Sequence, residues 1–532
     1  MNLPGKKILI ACAFFALIIC AWIAAVGRAG SAGYSAPYNI PTFFLETESG
    51  DIEFISESKE NEEKGYLSVV DSDGTPDFRG SLNSVHVRGN TSFYAPKKNY
   101  VLEFKREERL LGGDSSDKWF LLAQYGDGSK IRTALTTEFV KEYTDLACLD
   151  VRYVDVYVNG SYEGLYLLMK ARSAQAFGLT GLERINKESN GGIKDSELER
   201  VVSDDGKLHA YDLPRTPEDH TGGYMLEVIL DYEYEDAYPA FISSHGIYYE
   251  LKSPDNASLE EVMYIKSYVD EMEAAIYSED GVNPATGKHF SEYIDVDKWA
   301  DYYLVKEGLC DGDVTLNVSV YMMKDAGADT KLIPGPVWDV DTVLGIFRPS
   351  EYSYMTDPEF LNNKLIYADG LLAFGEVKEL VANRIETKLI PWYENEMKDE
   401  INALYSEMYD SLTSDRDRWN HDEYMDYADT PEGNAYMIYD FMSRRCDFLK
   451  SYFIDGDTWH TVVFFSQGNV HKMYMIRDGE PLKYVPDPLN FFGIFAGWED
   501  ESGNLCSLDE VTVTSDMSFE ARFIGAEEIL NR

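Results

Sequence analysis

The chain has 532 residues, 44% of them hydrophobic and 14% aromatic, more than one hydrophobic core usually serves, so two or three domains are expected. Against 94 acidic residues stand 48 basic ones, a formal net charge of −46. Such a surface repels a phosphate backbone and argues against nucleic acid; it confers solubility, or attracts divalent cations and basic substrate segments.

Lys6 and Lys7 precede an apolar run from Ile8 to Val26, followed by mostly small residues through Gly33. Residues 1–33 read as a secretory signal or a signal anchor, the membrane being met only there. The remainder is expected to be extracytoplasmic, either secreted or anchored at the cell surface. Downstream, Cys148, Cys310, Cys446 and Cys506 are widely spaced and form no C-x-x-C pair, which excludes a disulfide scaffold or zinc ribbon.

Residues 38–172 read as short strands and turns. Val85 to Arg88 and Tyr100 to Phe104 alternate, and Val154 to Val158 meets Asn159-Gly160 before Tyr162 to Leu168 resumes, a strong hairpin signal. One helix is expected from Lys130 to Tyr143. Residues 173–222 are polar and suggest a surface insertion or lid. From Ser258 the period becomes helical, through Leu259, Val262, Met263, Ile265, Val269, Met272 and Ile276. Helices follow over Trp299 to Leu309, Val377 to Tyr409 and Ala435 to Phe453, with a strand-like segment over Lys331 to Leu344. This β-rich front and helical back (223–455) predict an α+β fold. Residues 458–524 return to short strands and form a small separate domain.

Several familiar motifs are missing. The eight histidines show no H-E-x-x-H spacing, and no G-x-S-x-G occurs. Gly281 to His289 has one residue too many for a phosphate loop and reads as a turn.

Three segments carry candidate chemistry. The turn Arg88-Gly89-Asn90-Thr91-Ser92, followed by Pro96-Lys97-Lys98, offers amide, hydroxyl and cationic groups to phosphate oxygens. In Asp311-Gly312-Asp313-Val314-Thr315-Leu316-Asn317 an acid precedes an amide by four residues; such an Asp can deprotonate a hydroxyl and such an Asn can hold a metal. In Pro336-Val337-Trp338-Asp339-Val340-Asp341, a strand would point Asp339 and Asp341 to one side, ~7 Å apart, and a bound cation would compensate their charge. The same D-x-D also suits a nucleotide-sugar glycosyltransferase.

The order R-G-N-T-S…P-K-K, Lys118 to Ala123, Ser129 to Arg132, Val158 to Tyr166, Gly222 to Glu227, Leu251 to Pro254 and Gly335 to Asp341 resembles the spore coat protein H (CotH) kinase family over roughly residues 40–453. The resemblance implies an atypical protein kinase-like fold with two lobes, spanning 38–455, that binds ATP with Mg²⁺ or Mn²⁺ and phosphorylates Ser or Thr on protein substrates. It implies Asp313 as the catalytic acid, with Asp339, Asp341 and Asn317 at the metal. Lys97 or Lys98 and Arg132 would contact the phosphates, with Arg88 and Asn90 beside them. The chain departs from the family pattern at Asp311, where Asn is usual, and at Lys170, where an acid is common. Gly479 to Leu482, Pro486 to Pro488, Phe495 to Trp498, Gly503 and Val513 to Ala521 resemble an internalin-type B repeat, a β-grasp-like module of bacterial surface proteins that implies cell-wall or surface contact. Beside a kinase acting on secreted, coat or surface proteins stands a non-catalytic surface or adhesion protein on a kinase-like scaffold. A metal-dependent glycosyltransferase is a third reading.

Overall fold

The computed structural model describes residues 39–194, 197–346, 357–361, 363–419, 428, 430–488 and 493–524. The signal or anchor segment lies outside the described residues, and among these no helix is long and apolar enough to cross a membrane. The α+β expectation holds, with seven described helices of eight residues or more and three sheets.

The first seven strands are β1 (Thr42–Thr47), β2 (Glu62–Val70), β3 (Pro76–Arg88), β4 (Asn99–Glu108), β5 (Ser116–Leu122), β6 (Val151–Val158) and β7 (Ser161–Lys170). They close into a barrel in the order β1-β2-β3-β4-β5-β7-β6, sealed by the parallel pairing of β1 with β6. Inward residues Phe43, Leu67, Val85, Leu102, Trp119, Leu121, Val156 and Leu168 fill its core. The β6–β7 hairpin turns at Asn159 and Gly160, both at positive φ, as the Asn-Gly pair requires. Asn159 also accepts a hydrogen bond from the Thr47 amide, tying the turn to the end of β1.

β7 is buried on both faces from Glu163 to Met169. One face meets the barrel core; the other is covered by the long helix Met397–Trp419. Gly164 allows that approach: it sits at φ +126°, and a Cβ there would lie 2.2 Å from Asp415 Oδ1.

A second sheet has seven strands in the order β14-β13-β10-β12-β11-β9-β8: β8 (Arg200–Val202), β9 (Leu208–Tyr211), β10 (Tyr224–Val228), β11 (Ala240–Ile242), β12 (Tyr248–Ser253), β13 (Tyr321–Lys324) and β14 (Ile333–Pro334). Here the reading of 173–222 as a surface insertion gives way, because β8 and β9 from this stretch complete the sheet. The buried Leu182 and Ala210 join the main core. Hydrophobic alternation is too short in three- and four-residue strands to be read from a polar stretch.

Helices α1 (Arg132–Tyr143), α2 (Leu182–Ser189), α3 (Leu259–Ile276), α4 (Val296–Tyr303), α5 (Gly375–Arg384), α6 (Met397–Trp419) and α7 (Pro431–Lys450) share the largest core with this sheet. α3 begins at Ser258, whose hydroxyl accepts from the Glu261 amide while Glu261 Oε2 accepts from the Ser258 amide, a reciprocal cap. Its Val262, Ile265, Val269, Met272 and Ile276 are buried, whereas Met263 faces solvent. Where a strand was expected over Lys331 to Leu344, Ile333–Pro334 pairs with β13 and Leu332 bridges to Ile294; the rest is irregular backbone. A third cluster joins barrel to sheet: Val101, Phe120 and Met169 pack with Met225, Tyr321, Met323 and Trp338. Irregular loops converge along this seam. Residues 459–524 form a separate five-stranded sheet.

Candidate active site

After α4 the chain makes a wide turn (Leu304–Gly308), passes Cys310 in the left-handed region, and enters a short 3₁₀ turn over Gly312–Leu316. Asp311 caps that turn. Its Oδ1 accepts from the Asp313 amide (3.0 Å) and the Thr342 hydroxyl (2.9 Å), and its Oδ2 meets Lys306 Nζ at 2.7 Å with both side chains fully buried. The extra negative charge at this departure from the family pattern is therefore neutralised in place. Asp311 ties the Asp313 loop to the loop carrying Asp339 and Asp341, which Gly312 N–H to Thr342 C=O (3.1 Å) and Leu344 N–H to Leu309 C=O (2.8 Å) reinforce.

Asp339 and Asp341 do not lie on a strand. Asp339 is exposed at φ +55° and accepts from the Ser319 hydroxyl at 3.3 Å, so the same-side argument fails and a turn brings the two acids near each other. Burial, then Asp339, Asp313, Asp127 and Asp311 in that order, push the Asp341 carboxyl well above the ordinary carboxylate range. Asn317, also left-handed, buries its Oδ1 with no hydrogen-bond donor. An orphaned amide oxygen on the Asp313 loop, together with acids that repel one another, is a donor set of the chemistry that suits a hard divalent cation. The carboxylates are not yet gathered to ligand spacing. Among the described residues, the three acids whose oxygens lie within 4.8 Å of one another are Glu142, Glu396 and Glu400. Glu142 lies near the far end of α1, ~15 Å along the helix from Arg132.

Behind the acids, buried Asp127 accepts from the Ser129 amide (2.9 Å) and the Arg132 amide (3.1 Å) and pairs with the Arg132 guanidinium. Burial raises its pKa, but Arg132 and these hydrogen bonds outweigh it and hold the carboxyl below its usual range. Arg132 Nε donates to Val343 C=O at 3.0 Å. Arg132, expected at the phosphates, instead fixes the backbone of the Asp341 loop. Among the described residues, seven of the twelve non-glycine positions at positive φ belong to these loops: Gln124, Lys130, Cys310, Asn317, Ser319, Asp339 and Leu344. Each costs roughly 1–2 kcal/mol, a concentration of strain typical of functional sites.

Lys97 is corrected most sharply. Its Nζ is fully buried and donates to Asp415 Oδ1 (2.6 Å), Ala123 C=O (3.2 Å) and Leu165 C=O, which uses all three of its protons. It fastens α6 to the barrel. Lys98 Nζ donates to Phe93 C=O at 2.6 Å, and Asn90 Oδ1 accepts from Lys59 at 3.0 Å, so both brace the turn after β3. Lys170 turns outward to Asp114 at 2.9 Å.

Arg88 remains at the seam. Its guanidinium lies 4.4 Å from the Phe120 ring centroid and 5.8 Å from that of Trp338. Burial, opposed by Asp339 and assisted by Arg172, lowers its pKa. Residues that the sequence reading missed complete this side. Arg172 lies 4.8 Å from the rings of both Tyr321 and Trp338, and Glu227 joins Lys252 (3.0 Å) to Arg172 (3.8 Å). Only their place in two family-like fragments, G-G-Y-M-L-E and L-K-S-P, singled out Glu227 and Lys252. Arg172, two residues past β7, and Asp127 carried no signal.

The arrangement juxtaposes a carboxylate cluster with two arginines across one seam, able to hold a cation and a polyanion side by side. A comparison with curated proteins returns no match. The family model described as CotH kinase protein matches residues 85–449, about two thirds of the chain, from the end of β3 to α7 and including every loop of this site, so the chain belongs to the CotH kinase family.

Proposed function

We propose that this chain is an extracytoplasmic, ATP-dependent protein Ser/Thr kinase acting on secreted, coat or cell-surface proteins. The observation that carries the reading is a continuous cluster within the matched family region: Asp313 and Asp339 act on Asp341, Asp339 acts on Arg88, and Arg88 and Arg172 share Trp338 at the seam between barrel and second sheet. The barrel corresponds to the β-rich lobe of a kinase-like fold and the helical layer to the other. Asp339, Asp341 and Asn317 would hold Mg²⁺ or Mn²⁺, which supplies charge neutralisation for the phosphates of bound ATP. Asp313 accepts the proton of the attacking hydroxyl, and Asp311 keeps it in place through its backbone amide. Arg88 offsets charge on the phosphoryl oxygens. Residues 459–524, read as the B-repeat module, would serve contact with the wall or surface, and the N-terminal apolar run would deliver the chain there.

The test is phosphate transfer from labelled ATP, with Mg²⁺ or Mn²⁺, to the chain itself or to a Ser-rich acceptor. Asp313→Ala and Asp339→Ala should each abolish labelling while leaving the melting temperature within a few degrees. Undiminished labelling in both variants overturns the assignment. Absence of ATP binding by calorimetry leaves a non-catalytic scaffold.

A further inference from the structure

Polar donors at a protein seam are ordinarily spoken for, and in this acidic chain carboxylates to pair with cations are abundant. Lys97, Lys98 and Arg132 follow that pattern, each bound to protein acceptors. Arg88 and Arg172 do not. Neither guanidinium donates a hydrogen bond to a described residue; Arg88 has ring contacts and a through-space attraction to Asp339, and Arg172 has ring contacts and a 3.8 Å approach to Glu227. Both lie against the same indole, Trp338, which directly precedes Asp339. Arg88 feels the like charge of Arg172 as well as the larger, opposite pull of Asp339, and both guanidinium groups lie on ring faces that fix the planes of their forks. Such a pair is at its best when a ligand with several anionic oxygens lies between its members.

We infer that Arg88 and Arg172, mounted on Trp338, form the polyphosphate grip of this chain, and that Arg172 makes it selective for ligands with two or more linked phosphates. The inference rests on the kinase reading for the identity of the ligand, but the grip itself is a property of the arginine pair. Glu227 holds Arg172 only at long range because its oxygens already serve Tyr321 and Lys252, so an incoming phosphate competes against a weak contact. The buried lysine of the barrel has no part in the grip, since Lys97 spends its protons on holding α6.

Calorimetric titration of the full chain in Mg²⁺ with inorganic tripolyphosphate, orthophosphate and ATP tests this. Tripolyphosphate should bind, and orthophosphate should bind much more weakly. Arg172→Gln and Arg88→Gln should each weaken tripolyphosphate roughly tenfold to a hundredfold, the worth of a hydrogen-bonded charge pair. Arg172→Lys, which keeps the charge and the stem, should recover part of the loss and guards against misfolding of the Gln variant. Lys97→Met should lower the melting temperature but not the affinity of the folded protein. Unchanged affinity in Arg172→Gln, or equal binding of orthophosphate and tripolyphosphate, overturns the inference. ATP turnover that survives Arg172→Gln would leave the kinase reading standing without the grip. Arginine-dependent tripolyphosphate binding without ATP turnover would do the reverse.

Discussion

Asp415→Leu is the sharpest probe of how the helical layer is fixed to the barrel. Asp415 Oδ1 accepts from both Lys97 Nζ (2.6 Å) and the Leu165 amide (2.9 Å), and the side chains of Asp415 and Lys97 are completely buried. Burial pushes the Lys97 amine down to about 8, against the pull of Asp415. Removing the carboxylate strands that charge and the Leu165 N–H in a dry interface, at a cost of about 3–5 kcal/mol. That is a large share of the roughly 5–15 kcal/mol by which a typical fold is stable. Lys97→Met should cost somewhat less, because Asp415 keeps the Leu165 amide and Lys130 at 3.8 Å from its Oδ2. The double variant Lys97→Met/Asp415→Leu removes both members of the closest pair and leaves only Lys130 without its acid, so its loss should be smaller than the sum of the singles by about 2 kcal/mol or more. Urea denaturation followed by circular dichroism gives all three midpoints. If either single variant unfolds within about 1 kcal/mol of the parent, or if the losses add, the pair is not the buried clamp described here.

Four other outcomes follow from the geometry. Gly164→Ala places a methyl against Asp415 at a φ of +126° and should lower the urea midpoint as Asp415→Leu does; an unchanged midpoint would mean α6 is not seated on β7. Asp341→Asn should raise the melting temperature of the metal-free protein by relieving acid repulsion, yet abolish any rise on adding Mg²⁺, which differential scanning calorimetry can follow. Asp155 is buried beside Ser411 and Tyr162; burial, only partly offset by their hydrogen bonds, raises its carboxyl to about 6. A raised carboxyl favours the folded state at low pH, so its contribution, on the order of 3 kcal/mol, is complete below about pH 4 and lost as pH rises through 6. Asp155→Asn should flatten the stability profile between pH 4 and 6. Asp311→Ala frees Lys306 in the core and should cost about 3–5 kcal/mol along with phosphate transfer, whereas Asp311→Asn, which can still accept from the Asp313 amide, should keep more of the transfer than of the stability.

Much of this molecule is legible locally. The Asn159-Gly160 turn, the Ser258–Glu261 cap and the apolar stripe of α3 each depend on residues within a few positions, and each forms as its chemistry dictates. Asp339 and Asp341 could be singled out because charge beside apolar residues is costly to bury, and Asp313 by its place four residues before Asn317. Reading 331–344 as a strand failed because alternation over a few residues does not distinguish a ladder from a loop held by Thr342, Val343 and Leu344. The two short strands hidden in a polar stretch failed for a similar reason: the sheet they complete lies elsewhere in the chain.

The sequence by itself determined the α+β composition, the helix starts and turns, and which acids could bear chemistry, since these follow from propensity, periodicity and the cost of charge. Tertiary structure alone decided which cations serve the site. Lys97 looked like a phosphate ligand until a partner 318 residues away claimed it, and Arg172 looked like nothing until β13 and the Trp338 loop came beside it. A cation's role is set by the acceptors within about 4 Å of it, and topology, not neighbouring sequence, supplies them.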